Sequence, residues 1–185
     1  MSDGAVRWAR GRIHPVPIAD GIYHVTNRGN DRRAIFDDEL DYLDFIRQLA
    51  KVVDACGWLC HSFCLMPNHY HLLVETPQPN LGDGMHLLNG RYARRFNARH
   101  ERVGHLFQGP YRAEAVERDE HLLEVCRYVV LNPVRAGLVE RAERWPWSSY
   151  GSDFSFVERE TTRRLFGSDE EFRAFVAAGQ RLQPG

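Results

Sequence analysis

Read as alternating hydrophobic and polar positions, the chain begins with twenty residues that lack periodicity and carry Pro15 and Pro17, which predicts an arm over 1–20. Ile22 to Asn27 (IYHVTN) is a β-branched and aromatic run that ends in the turn signal Arg28-Gly29-Asn30-Asp31, a first strand. From Asp38 to Ala55 apolar side chains recur at Leu40, Leu43, Ile46, Leu49, Ala50 and Val53, the three-and-four spacing of an amphipathic helix, and Gly57 stops it. Trp58 to Met66 and His69 to Thr76 read as two strands joined by Pro67-Asn68 into a hairpin. Helical spacing returns over Leu81 to Arg99 through Met85, Leu88, Tyr92 and Phe96.

After a loop or short hairpin at Gly104 to Gly109, Tyr111 to Val116 is a fourth strand. Asp119 is the expected N-cap of a helix that runs to about Leu131, where Pro133 forbids continuation and biases Asn132 away from helical geometry. A last helix is expected over Asp169 to Ala178. The order strand, helix, strand, strand, helix, strand predicts an α+β fold, a ferredoxin-like split βαβ with an antiparallel sheet, and an added C-terminal helix that carries Tyr128. The expected organisation is the arm over 1–20, one folded domain over 21–150 and a helical extension over 151–185.

Composition narrows the function classes. In 185 residues, 43% apolar and 26% charged, no apolar run approaches the roughly 18 residues of a membrane span and no apolar signal core opens the chain. Four cysteines (56, 60, 64 and 126) are too few and too uneven for a disulfide framework, so reduced thiols and a cytoplasmic address are expected. The net charge of −1 argues against a protein that coats duplex DNA by neutralising phosphates. The average hides a local excess. From Arg91 to Arg112, arginines 91, 94, 95, 99, 102 and 112 face only Glu101, which predicts a basic patch; Tyr92 and Phe96, at apolar-face positions of the helix, are expected in the core, with stacking surfaces for unpaired bases as the alternative. Arg28, Arg32 and Arg33 in the loop after the first strand would extend it.

His69 and His71 share one face of their strand, with Cα atoms about 7 Å apart, close enough for both imidazoles to grip one divalent cation. A bare His-x-His is more often a pair of satisfied strand residues. A catalytic ion would need a further ligand and open positions, and Asn132, four residues after Tyr128, puts an amide and a phenol on one side of a helix. With a pKa of about 10 a tyrosine is a poor nucleophile until a cation neutralises the phosphate it attacks. Tyr92 is the rival nucleophile, and His24 and His61 fall on strands from which they could reach the same ion, although satisfied structural histidines are commoner. No GxxxxGK[ST] or GxGxxG is present, so no nucleotide cofactor is expected.

Six ordered segments bear a resemblance: YHVTNRGNDRRAIF (23–36), LMPNHYHLLVET (65–76), RYARRFNARH (91–100), GHLFQGPYRAEAV (104–116), RYVVLNPVRAGLV (127–139) and WPWSSY (145–150). Together they resemble REP-associated tyrosine transposases, single-tyrosine members of the HUH superfamily, over about 70% of the chain. The resemblance implies a ferredoxin-like endonuclease and strand transferase acting on single-stranded or hairpin DNA. It implies Mg²⁺ or Mn²⁺ held by His69, His71 and Asn132, although relatives often carry Gln at the last position. It implies Tyr128 as the nucleophile that forms a 5′-phosphotyrosine, in a monomer or a homodimer. The competing expectations are a domesticated hairpin-binding protein that does not cut, and a zinc hydrolase for small phosphoesters, for which two histidines and an amide are a lean ligand set.

Overall fold

The structure, a computed structural model, describes residues 18–116 and 120–181. The expected arm falls almost wholly outside the described residues, as does Asp119 and its capping role. Four strands, β1 (Gly21–Arg28), β2 (Leu59–Met66), β3 (His69–Thr76) and β4 (Arg112–Ala115), form one antiparallel sheet in the order β2-β3-β1-β4. Helices α1 (Glu39–Cys56) and α2 (Leu81–Arg99) follow β1 and β3, which is the ferredoxin-like arrangement.

The two-residue period of the strands divides the sheet into two chemistries. Tyr23, Val25, Phe63, Leu65, Tyr70, Leu72, Val74 and Ala113 face α1 and α2 and build the main core. Gly84 lets α2 approach, since a Cβ there would meet the Trp58 ring at 2.1 Å. The alternate residues Ile22, Cys64, Met66 and Leu73 face the other way, against helix α3 (Glu120–Arg135). Because α3 packs on β2 and β3, the same face of β1 and β4 carries exposed residues such as Arg28 and Arg112.

Three local expectations are corrected. On α1 Leu40 and Leu43 of the expected stripe point to solvent, while its Ile46, Leu49 and Val53 are buried beside Tyr42, Phe45 and Val52. The buried face takes in the aromatic rings of Tyr42 and Phe45 and leaves the two leucines nearest the start of the helix outside it. The helix expected to stop near Leu131 runs through Pro133 to Arg135. The carbonyl of Val129, which Pro133 has no N–H to reach, accepts instead from Asn132 Nδ2 at 3.2 Å, and that amide also donates to the Tyr128 carbonyl at 2.9 Å. The third is an unforeseen helix α4 (Glu160–Phe166), which precedes the expected last helix, α5 (Asp169–Arg181).

The stretch after α3 covers the free edge of β2. Leu65 N–H donates to the Trp147 carbonyl at 2.8 Å, and Ser149 N–H to that of Phe63 at 3.0 Å. Among the described residues no helix is long and apolar enough to cross a membrane.

Candidate active site

Strand β3 places His69 and His71 on the face that α3 covers, and α3 presents Tyr128 to that face. The imidazole centroids of His69 and His71 are 5.0 Å apart. The Tyr128 ring stands edge-on to His71 at 5.8 Å and to His24 at 5.8 Å. His24 comes from β1, next to β3, and stacks on His71 with centroids 5.2 Å apart, its Nε2 3.0 Å from His71 Nδ1. Three imidazoles and a phenol from three elements therefore converge, with His71 and Tyr128 57 positions apart in the chain.

Burial determines their charge. His24 is pushed down to about 4 by desolvation, His69 to about 4 by desolvation and then by the neighbouring Arg28 charge. His71 is held well below the usual imidazole range, mostly by burial and further by His24, His69, Arg28 and Arg135. All three rings are neutral at pH 7, the form that binds metal through a ring lone pair. His71 Nε2 is buried with no hydrogen-bond partner. Such an orphaned acceptor, with a second neutral imidazole beside it, fits a divalent cation.

Among the described residues no group of three or more His, Cys, Asp and Glu side chains is placed to hold a metal. Asn132, the further ligand expected from the sequence, lies on α3 one turn beyond Tyr128. Its Nδ2 is committed to the helix carbonyls of Tyr128 and Val129, which leaves Oδ1 as the atom available for ligation.

Arginines surround this centre unequally. Arg28 is paired directly across from His69, and Arg112 is opposite Thr26 two positions along the same strand, so both border the histidines on one sheet face. Arg32 and Arg33 lie exposed in the adjoining loop. Arg91, Arg94, Arg95 and Arg99 belong to α2 on the opposite face and do not join the site.

Three arginines of the expected basic patch are paired with acids from α1 and the residues before it. Arg95 Nε binds Asp44 at 2.8 Å, Arg99 binds Asp38 and Asp41 at 2.5 and 2.6 Å, and Arg102 binds Asp37 at 3.2 Å. Of the two readings of Tyr92 and Phe96 the core one holds, and Tyr92 is corrected as a DNA contact: both are buried, and the Tyr92 hydroxyl donates to the Ile35 carbonyl. Desolvation raises the Tyr92 phenol far above its ordinary range, which also removes it as rival nucleophile.

The sequence reading left His24 as one strand histidine among others and did not single out Asn68 or Arg135. The signal for His24 was its place in the alternation of β1, visible only once the register of β1 on β3 is known.

The family profile described as "Transposase IS200 like" matches residues 18–132. A Haemophilus influenzae protein assigned as a REP-associated tyrosine transposase is 26% identical over 145 residues, 72% of this chain and 81% of that protein. Among solved structures, a REP-associated tyrosine transposase bound to a REP hairpin superposes with a TM-score of 0.64 at 17% identity, covering 80% of this chain and 98% of that one. A transposase of Deinococcus radiodurans gives 0.44 at 20% identity over 72% of this chain and 92% of that one. The first of these structures shares the fold, and the profile spans strands β1 to β4 and α3 as far as Asn132, so the chain belongs to the IS200-like transposase family.

Proposed function

We propose that this transposase is an endonuclease and strand transferase for hairpin-bearing single-stranded DNA, with Tyr128 as nucleophile. The observation that carries the reading is the Tyr128 ring standing edge-on to His71 on the face that also bears His69. A Mg²⁺ or Mn²⁺ ion held by His69 Nε2, His71 Nε2 and Asn132 Oδ1 would neutralise charge on the scissile phosphate.

The residues of the chain do the rest. Burial keeps the imidazoles uncharged, Arg28 and Arg112 take flanking phosphates, and α3 holds the phenol oxygen near the phosphorus. Tyr128 Oη forms the new bond to phosphorus while the P–O3′ bond breaks. The phenol proton leaves to solvent, the departing strand gains a 3′-hydroxyl, and the 5′ end remains as a phosphotyrosine. Attack of a 3′-hydroxyl on that ester rejoins strands, so no nucleotide is consumed. A hairpin substrate is favoured because a relative with this fold is described bound to a REP hairpin.

The test is a denaturing gel of the full chain with Mn²⁺ and hairpin oligonucleotides copied from inverted repeats flanking the gene. Wild type should form a covalent adduct that is absent in Tyr128→Phe and in EDTA. An undiminished adduct in Tyr128→Phe would overturn the assignment, and tight hairpin binding with no nick under any divalent metal would select the non-cleaving binder.

A further inference from the structure

Both histidines of the pair have their Nδ1 atoms engaged by a neighbour, and the two neighbours impose the same protonation pattern. At His69 the argument starts from Asn68. Its Nδ2 donates to the Arg32 carbonyl at 3.0 Å, which fixes the amide orientation and turns Oδ1 toward His69 Nδ1 at 2.7 Å. An amide oxygen only accepts, so His69 Nδ1 carries the ring proton and Nε2 is a bare lone pair.

At His71 the partner is His24, and one proton lies between His24 Nε2 and His71 Nδ1, 3.0 Å apart. Were His24 the donor, His71 would carry its own proton on Nε2, a buried N–H with no acceptor. Buried donors without partners are rare in folded proteins. With His71 as donor, Nε2 is again a lone pair and no orphan N–H exists.

We propose that His24 and Asn68 are positioning residues that hold His71 and His69 in the Nδ1–H tautomer, so that both rings present Nε2 to one cation. The proposal rests on the metal reading given above and adds the residues that prepare the site before the ion arrives. Asn68 also ties the site to its surroundings. The Arg32 carbonyl it binds belongs to a turn in which Asp31 and Arg32 both adopt left-handed backbone, φ 52° and 59°. That conformation is unfavourable for side-chain-bearing residues and persists where the surroundings enforce it. One amide thus connects the arginine-bearing loop to His69.

Two measurements on the full chain test this. Long-range ¹H–¹⁵N NMR of the metal-free protein reads the tautomers directly, and both histidines should show a protonated Nδ1. An Nε2–H pattern at either would overturn the assignment at that residue. The Mn²⁺ dissociation constant, read by electron paramagnetic resonance, should rise about 10- to 100-fold in His24→Phe, which keeps a ring but removes the acceptor, and in Asn68→Ala. His24→Gln and Asn68→Asp retain an acceptor oxygen and should bind Mn²⁺ close to wild type.

Equal affinity of wild type, His24→Phe and Asn68→Ala would overturn the positioning role. So would equal losses in the acceptor-retaining and acceptor-free variants, which a merely structural role predicts. If wild type itself binds no Mn²⁺, the metal reading fails, while the NMR pattern still decides the tautomers.

Discussion

The Arg135 guanidinium lies over the Tyr128 ring, its Cζ 4.7 Å from the ring centroid and its Nη1 3.4 Å from the Tyr128 carbonyl. Seven residues is close to two helical turns, so α3 delivers both groups to the same edge. At an exposed site such a contact is worth about 0.5–1 kcal/mol, and here it restrains the ring that must meet the phosphate. Arg135→Gln should slow single-turnover adduct formation by about 2- to 5-fold, the rate equivalent of that energy. An unchanged rate would leave Arg135 as a bystander.

Asn132 has two separable tasks. Its Nδ2 satisfies the Val129 carbonyl that Pro133 strands, and its Oδ1 is the proposed third donor. Asn132→Ala should cost about 1 kcal/mol in denaturant unfolding and also weaken Mn²⁺ binding. Pro133→Ala restores an N–H for Val129, so in that background the stability cost of Asn132→Ala should shrink while the loss of Mn²⁺ affinity stays. Disappearance of both effects together would show that Asn132 acts only through the helix.

Tyr92→Phe separates the core from the chemistry. The substitution leaves the Ile35 carbonyl buried and unsatisfied, at a cost of about 1–3 kcal/mol. Chemical denaturation should detect that loss, while adduct yield at a temperature where the variant is folded should equal wild type. A folded Tyr92→Phe without adduct would return Tyr92 to the list of nucleophiles.

Salt titrations should distinguish the arginines by location. Arg28 borders His69, so Arg28→Ala should weaken hairpin binding and reduce the salt-dependence slope by about 1. Arg99 is on the far side of the sheet, bound to Asp38 and Asp41, and Arg99→Ala should leave both quantities unchanged. A slope change in Arg99→Ala would place DNA on the α1–α2 side.

Much of the fold was legible because it depends on neighbours in the chain. The β2–β3 hairpin, the helix Leu81–Arg99 and the common face of His69 and His71 all follow from backbone periods of two and 3.6 residues. Where those periods left a choice, the reading failed, as with Leu40 and Leu43 against Tyr42 and Phe45. It failed also where a side chain repaired the backbone, as Asn132 does beside Pro133.

The sequence by itself determined the order of elements, the position of the His-x-His pair on its strand and the family motifs, since these are properties of short stretches. Only the tertiary structure decided that His24 buttresses His71 and that Tyr128 reaches the same face. It also decided that Arg95 and Arg99 of α2 are taken by aspartates some fifty to sixty residues earlier. Such partners meet because sheet register and helix packing bring distant segments together, and charge or chemistry counted along the chain carries no record of which residue will stand opposite.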